Sequence, residues 1–364
     1  MTALAMSTTS IPLPQIATSI SMNGPLHLPP TGTAIQYEIV NTFWEVPVKT
    51  ANLEKGYFSL NPYFMYYANQ CRLAVNDEGG HILARTHRDI CDIVQYIRVD
   101  LTREEIKRHL GKKLPDPKPA NHNELLDSSI DLAVRLLVMM EVGELQYGFI
   151  SRNRLDWPEG SLRDFLRDYF KKTTSGDYVR LERIFNARNL RRIAGIDIEW
   201  TSNIADHLLL IDGDTRVAIF HHAEFLKHQM ESKTPLLPNG LAKETLMTIA
   251  LLFPQSDISI KKWYCKIRRS YNLDQKAIQC GHLKADERRI ENFQFWRERL
   301  TVLKQIFDEA EPKGISQWWH DRRKRVQWYT FWIAVVLLLL TVFFGFIQII
   351  EGALQVYKAF HPLA

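Results

Sequence analysis

Hydrophobic and polar residues follow two different patterns along this 364-residue chain. Through about residue 310, apolar positions recur mostly at three- and four-residue steps among charged ones, which is typical of helices that bury one face. Residues 328–350 form instead a run of 23 residues without a charge, of which 15 are Leu, Ile, Val or Phe. The pattern therefore predicts a mainly α (α+β) cytosolic domain with a small β-hairpin, followed by one C-terminal transmembrane helix.

The first third of the chain combines a polar start with weaker periodic signals. Residues 1–34 are rich in Ser, Thr and Pro and carry no charge, so we expect a disordered tail. The β-branched and aromatic residues of 35–48 predict a strand. Thr102 and Glu105 stand at capping-box spacing and predict the start of a short helix. The prolines of 115–119 cannot continue a helix and therefore indicate an internal boundary.

The segment after this boundary predicts helices around a hairpin. Apolar stripes predict helices over 179–194 and 284–309. Between them, HLLLI and RVAIF flank an Asp-Gly-Asp turn, whose residues tolerate positive φ angles, so we expect a hairpin at 206–221. In chain order we expect a disordered tail (1–34), an N-terminal subdomain of helices and a strand (35–114), a helical domain with the hairpin (120–310), a basic juxtamembrane helix (315–327), the transmembrane helix (328–350) and a short tail (351–364).

The length and flanks of the apolar run are typical of a membrane-spanning helix. At about 1.5 Å per residue, 328–350 would extend about 34 Å, more than the hydrocarbon core of about 30 Å. A buried core helix is the alternative, but such a helix normally keeps a polar stripe. The N-terminal flank holds interfacial aromatic residues and a basic run: Trp328, Tyr329, Trp332, Arg322, Arg323, Lys324 and Arg325. Since Lys and Arg favour the cytosolic side, we expect residues 1–327 to face the cytosol.

The position of the run near the C-terminus also predicts how it would insert. Only 14 residues follow Ile350, so insertion would come after translation, as in single-pass, tail-anchored proteins. The endoplasmic reticulum is favoured over the mitochondrial outer membrane because the run is strongly apolar and its tail is not basic. Gly345, Gln348 and Gly352 share one helical face, so we expect a helix–helix contact and a homo-oligomer formed through the span.

The C-terminal residues carry a resemblance to a known family. The run from QWWHDRRKRVQWYTFW through FFGFIQIIEGALQVYKAF resembles the C-terminus of a family of uncharacterised proteins from filamentous fungi. LERIFNARNLRRIAGIDIEWTSNIADHLLL, VAIFHHAEFL and FWRERLTVLKQIFDEAEP are also similar to that family, so the resemblance covers roughly residues 124–358. It implies a fungal source and a membrane tether. No activity is established for the family, so it implies no catalytic or binding residue.

The densest group of metal-ligating residue types lies at the two ends of the expected hairpin. Asp206, His207 and His221 combine carboxylate and imidazole, which are ligands of zinc and iron. Their spacing is generic, however, and His221 and His222 would point to opposite faces of a strand. We therefore expect structural histidines, with no metal site and no cofactor.

Other chemistry is only weakly indicated. The four cysteines form no C-x-x-C pair, and a net charge of +5 over this length identifies no partner. Nucleophile-elbow, phosphate-loop, zincin and dinucleotide-binding motifs are absent, so the familiar hydrolase, NTPase, zincin and Rossmann classes lack support. The sequence leaves open whether the protein is an enzyme, and it leans against catalysis.

Two alternatives stand beside the function that the sequence favours. The favoured function is a membrane-anchored scaffold or adaptor whose partners are the lipid bilayer and an unidentified cytosolic protein. One alternative is an unrecognised membrane-tethered enzyme. The other is a winged-helix-like module, because a basic helix precedes the hairpin, although a membrane tether argues against nucleic acid as a partner. The arginines of that helix are Arg180, Arg183, Arg188, Arg191 and Arg192.

Overall fold

The computed structural model of the protein describes residues 21–46, 60–76, 79–143, 155–173, 179–310 and 325–360. Among these described residues, 59% are helical and 7% are in strands or β-bridges, so the expected mainly helical fold with a small sheet is confirmed. The helices are α1 (Thr33–Trp44), α2 (Asn61–Ala74), α3 (His87–Arg98), α4 (Arg103–Gly111), α5 (His122–Val138), α6 (Leu162–Tyr169), α7 (Ala187–Asn189, continued by a π-helix over Leu190–Ala194), α8 (Ala223–Glu231), α9 (Leu241–Leu252), α10 (Ile258–Tyr271), α11 (Arg297–Glu309) and α12 (Arg325–Phe360). The strands are β1 (Asp197–Thr201), β2 (Leu210–Ile211) and β3 (Arg216–Phe220).

The N-terminal segment corrects two sequence predictions. The strand expected at 35–48 is wrong, because α1 occupies Thr33–Trp44. Its buried side chains, Ile35, Ile39 and Phe43, recur every four residues, and this helical period outweighs the β propensity of the residues. Part of the expected disordered tail is also packed: Leu26 is buried and its N–H donates to the carbonyl of Arg85 at 2.9 Å. Residues 1–20 lie outside the described residues.

The central element is α5, which is buried along almost its whole length. It packs against α2, α3 and α4, which precede the prolines of 115–119, and the buried apolar residues form one cluster from Met22 to Phe307. The last carbonyls of a helix lack partners within it. Four side chains from α1, α2 and α8 donate to them here, namely Trp44 and Gln229 to Leu137 (both 3.2 Å), Tyr63 to Leu136 (2.8 Å) and Tyr66 to Arg135 (3.2 Å).

The predicted hairpin is confirmed and extended by a third strand. β2 pairs with β3 in antiparallel fashion, with Leu210 opposite Val217. β1 lies on the other side of β3 and runs parallel to it. The helix expected over 179–194 is shorter than predicted and begins at Ala187, where the side chain of Asn186 caps the first turn. The preceding residues pair their backbone with another segment instead, as Leu181 donates to the carbonyl of Arg288 at 2.8 Å.

The helix expected over 284–309 is also shorter than predicted, because a distant carboxylate takes its backbone donors. Glu244 of α9 is buried and accepts hydrogen bonds from three successive backbone N–H groups, those of Gln294 (2.8 Å), Phe295 (2.9 Å) and Trp296 (2.7 Å). These amides are therefore not available to an α-helix, and α11 starts directly after them at Arg297. Thr102 and Glu105 form the predicted capping box at the start of α4.

Candidate functional site

His207 is fully buried and hydrogen-bonded at both ring nitrogens. Its Nδ1 accepts from the backbone N–H of Phe220 at 3.1 Å, and its Nε2 lies 2.6 Å from the Thr248 hydroxyl. The neutral tautomer with the proton on Nε2 satisfies both bonds. Burial, and secondarily the guanidinium of Arg299, lowers the pKa of His207 to about 3. The ring is therefore neutral at pH 7.

The partners of His207 are themselves held by the fold. The Thr248 hydroxyl donates to the carbonyl of Thr245 at 2.6 Å, and the indole N–H of Trp296 donates to the Thr245 hydroxyl at 2.8 Å. The Trp296 ring stands edge-on to the His207 ring at 5.0 Å between centroids. This network ties β3 and α9 to Trp296, the residue before α11, and leaves neither nitrogen of His207 available to a metal.

His221 and His222 lie just after β3 and form a stacked pair with ring centroids 4.0 Å apart. The expectation that they point to opposite faces is wrong, because strand alternation ends with β3 at Phe220. Nδ1 of His221 accepts from the backbone N–H of Asp274 at 3.3 Å, and Nε2 of His222 lies 2.8 Å from the Ser202 hydroxyl. Burial lowers the pKa of His221 to about 3, and burial followed by the neighbouring His221 lowers the pKa of His222 well below its ordinary value.

The candidate metal ligands do not form one set. Asp206 ends a short 3-10 helix over Ile204–Asp206, His207 contacts Thr248, and His221 contacts Asp274. Among the described residues, no group of three or more His, Cys, Asp and Glu side chains is arranged to hold a metal ion. His207, His221 and His222 are each hydrogen-bonded to other parts of the fold instead.

Sequence reasoning missed a buried ion pair between α4 and α5. Nη1 of Arg103 lies 2.6 Å from a carboxylate oxygen of Asp131, and its Nη2 lies 2.6 Å from Asp127. The guanidinium also stands over the ring of Trp157 at 5.3 Å. Burial opposes the charge, but Asp131 and then Asp127 raise the pKa of Arg103 above its ordinary value. The sequence signal for this ion pair is the spacing of Asp127 and Asp131, which lie one turn apart on an otherwise apolar helix face.

The C-terminal helix α12 is longer than the predicted span. It covers 36 residues, and the stretch Trp328–Tyr357 is long and apolar enough to cross a membrane, with none of its most apolar window buried against protein. Those 30 residues extend about 45 Å, which matches a hydrocarbon core together with its headgroup regions. The hydroxyl of Thr341 donates to the carbonyl of Leu337 at 2.8 Å, so this polar group is satisfied within the helix.

The predicted flanking residues are placed only in part. Trp328, Tyr329 and Trp332 lie at the N-terminal end of α12, with the rings of Trp328 and Trp332 6.1 Å apart. Of the basic run, Arg325 begins α12, whereas residues 322–324 lie outside the described residues, as does most of the juxtamembrane helix expected at 315–327. The tail expected from 351 continues α12 as far as Phe360.

The three residues predicted to mediate helix contacts lie on α12 at a spacing of one and two turns. A Cβ added at Gly345 or Gly352 would meet no atom within 4 Å, so this face is open to a close neighbour. Gln348 lies between them. The contact itself stays a prediction.

Comparison with models of protein families, with curated proteins and with solved structures gives no match to this chain. The resemblance of the C-terminal residues to a fungal family therefore stays a prediction.

Proposed function

We propose that α12 anchors this protein in a membrane and that its upstream domain acts in the cytosol as a scaffold or adaptor. The observation that carries the proposal is the exposed apolar surface of α12. Large side chains along it are open to solvent, among them Phe343 (58% exposed) and Ile349 (69%). A contiguous apolar surface of this length would be a strong driving force for aggregation in water, whereas a bilayer buries it.

The energetics support insertion of this helix. Each Leu, Ile, Val or Phe near the bilayer centre contributes roughly −0.3 to −0.6 kcal/mol, so 15 of them favour insertion by several kcal/mol. An α-helix also satisfies its backbone hydrogen bonds internally, as a span in hydrocarbon requires. The basic residues at 322–325, immediately before the span, support the orientation with the upstream domain in the cytosol.

The histidine network supports an adaptor over an enzyme. The imidazoles of His207, His221 and His222 are neutral, buried and hydrogen-bonded to the fold, whereas a metalloenzyme would need imidazoles that are available to a metal. An anchored domain would act by holding its protein partners at a membrane surface, where their effective concentration rises.

Carbonate extraction and protease protection of the full chain in microsomes test the anchor. We expect the protein to stay in the membrane pellet, the upstream domain to be digested and an epitope after Ala364 to be protected. Leu338→Asp combined with Leu339→Asp should release the protein, while Val99→Asp, at an equally exposed apolar position in the domain, should not. Release of the unmodified protein by carbonate would refute the span, and a digested epitope with a protected domain would refute the orientation.

The adaptor role is tested by proximity labelling from the membrane-bound protein. Replacing 328–360 with an unrelated single-span anchor should keep the labelled partners, because the upstream domain selects them. Elemental analysis tests the enzyme alternative. One equivalent of transition metal that is lost in His207→Ala would support that alternative.

A further inference from the structure

Two paired chain segments place Arg183 and Arg180 near enough to the buried Arg288 to act on its charge. The N–H of Leu181 donates to the carbonyl of Arg288 at 2.8 Å, and the N–H of Ile290 donates to the carbonyl of Val179 at 2.9 Å. This short pairing fixes the segment that carries Arg180 and Arg183 beside the segment that carries Arg288. The sequence alone places these residues more than 100 positions apart.

Arg288 is the least solvated of the three. Only 9% of it is exposed, and its Nε and Nη1 have no hydrogen-bond partner among the described residues. Burial, and then the guanidinium groups of Arg183 and Arg180, lowers the pKa of Arg288, with the carboxylate of Glu182 acting in the opposite direction. A buried guanidinium with unpaired donors beside two like charges is costly for the fold, and a bound anion would offset this cost.

The carboxylate of Glu182 does not neutralise the cluster. Its Oε2 lies 3.1 Å from Nζ of Lys304, so this carboxylate is already paired with another cation. Within the part of the chain that the structure describes, none of Arg180, Arg183 and Arg288 has a carboxylate within 4.0 Å. The cluster therefore keeps a net positive charge at neutral pH.

The cluster lies against the helix that leads to the proposed span. Besides the contact between Glu182 and Lys304, the rings of Phe185 and Phe307 meet edge-on at 5.5 Å, so this segment packs along α11. Helix α11 ends at Glu309, and α12 begins at Arg325. The connecting residues could span at most about 55 Å when fully extended, so a membrane that holds α12 stays within reach of the cluster.

We propose that Arg180, Arg183 and Arg288 form a binding site for the phosphate monoester of an anionic lipid headgroup. Arginine is suited to this ligand because its planar guanidinium presents several donors to phosphate oxygens. A phosphate monoester, with close to two negative charges, matches the surplus charge better than a diester does. The choice of a lipid as the source of the phosphate rests on the proposed membrane anchor.

The test is calorimetric titration of the full chain in a neutral detergent with dioctanoyl phosphatidic acid. Dioctanoyl phosphatidylglycerol, which has the same tails but a phosphate diester, should bind more weakly. Arg288→Gln and Arg183→Gln should each weaken binding of phosphatidic acid by about tenfold or more, as expected for a charge-assisted hydrogen bond. Arg72→Gln makes the same change of charge at an exposed site on α2 and should leave the affinity unchanged.

Three results would overturn the proposal. Equal affinities of the unmodified protein and both arginine variants would show that the cluster is not the site. Equally tight, arginine-dependent binding of inorganic phosphate would make free phosphate the ligand, and the same result with a short single-stranded RNA would make nucleic acid the ligand. Carbonate extraction is independent of these titrations, so loss of the anchor and loss of the lipid site are distinguishable.

Discussion

Acidification should destabilise the domain because its core encloses neutral histidines. The pKa of His207 is about 3 in the folded protein, against about 6.5 in the unfolded chain. Between these values the unfolded state binds the proton and the folded state does not, so stability is fully present above pH 6.5 and falls as the pH drops. From pH 7 to pH 5, one such histidine accounts for a loss of about 2 kcal/mol.

His221, whose pKa is also about 3, should contribute a similar loss. Two histidines together would remove about 4 kcal/mol between pH 7 and pH 5, a large part of the 5–15 kcal/mol that typically stabilises a protein domain. Buried carboxylates act in the opposite direction. Burial raises the pKa of Glu244 and of Asp274, so their protonation in acid favours the folded state. The histidine effect therefore has to be isolated by comparing variants.

The assay is urea denaturation of the full chain in detergent at pH 7, 6 and 5. His207→Gln keeps hydrogen-bonding groups but cannot titrate, so between pH 7 and pH 5 it should lose about 2 kcal/mol less than the unmodified protein. Thr248→Val is the matched control: it removes the partner of Nε2 and costs about 1–3 kcal/mol at every pH, yet it keeps the pH dependence. If His207→Gln and the unmodified protein lose the same stability on acidification, His207 is not buried and neutral.

Three further outcomes are expected. Gly143→Ala should destabilise the protein by about 3 kcal/mol or more, because Gly143 has φ +75° and a Cβ would overlap the Asp131 carboxylate. Gly213 has φ +61° with open space around it, so Gly213→Ala should cost only about 1 kcal/mol in the same urea denaturation. Glu244→Gln should cost about 2 kcal/mol, because its amide group would face a backbone N–H that now donates to a carboxylate oxygen. Gln348→Leu should weaken a dimer captured by crosslinking in membranes by about 0.6–2 kcal/mol, and a dimer of unchanged yield would contradict a role for the amide.

The features that were predictable from sequence are those set by nearby residues. The capping box of Thr102 and Glu105, the Asp-Gly-Asp turn between β2 and β3, and the length of the apolar run each depend on a few adjacent positions. Where the prediction used composition alone it was wrong: α1 was expected to be a strand although Ile35, Ile39 and Phe43 already showed a helical period.

The features that were not predictable depend on partners far away in the chain. The α11 helix is shortened by Glu244, about 50 residues earlier, and the stretch before α7 is unwound by a backbone pairing with Arg288. No local pattern contains these contacts, because a carboxylate in one helix and free amides in another segment have no fixed separation in sequence. His207 and His221 are a similar case, because Thr248 and Asp274, which hydrogen-bond to their rings, come from later segments of the chain.

The same contrast explains why the two charged segments of this chain have different meanings. The basic run at 322–325 can be interpreted from sequence because its neighbour, the apolar run, determines its role. Arg180 and Arg183 lack such a neighbour, and as residues of a predicted basic helix they indicated a surface for nucleic acid. The structure shortens that helix and pairs the segment of Arg180 with the segment of the buried Arg288, of which two nitrogens have no hydrogen-bond partner among the described residues. A shallow, freely solvated arginine would pair with any polyanion, whereas a buried one favours a compact anion that can enter the cluster, and this is the physical reason to test a lipid phosphate first.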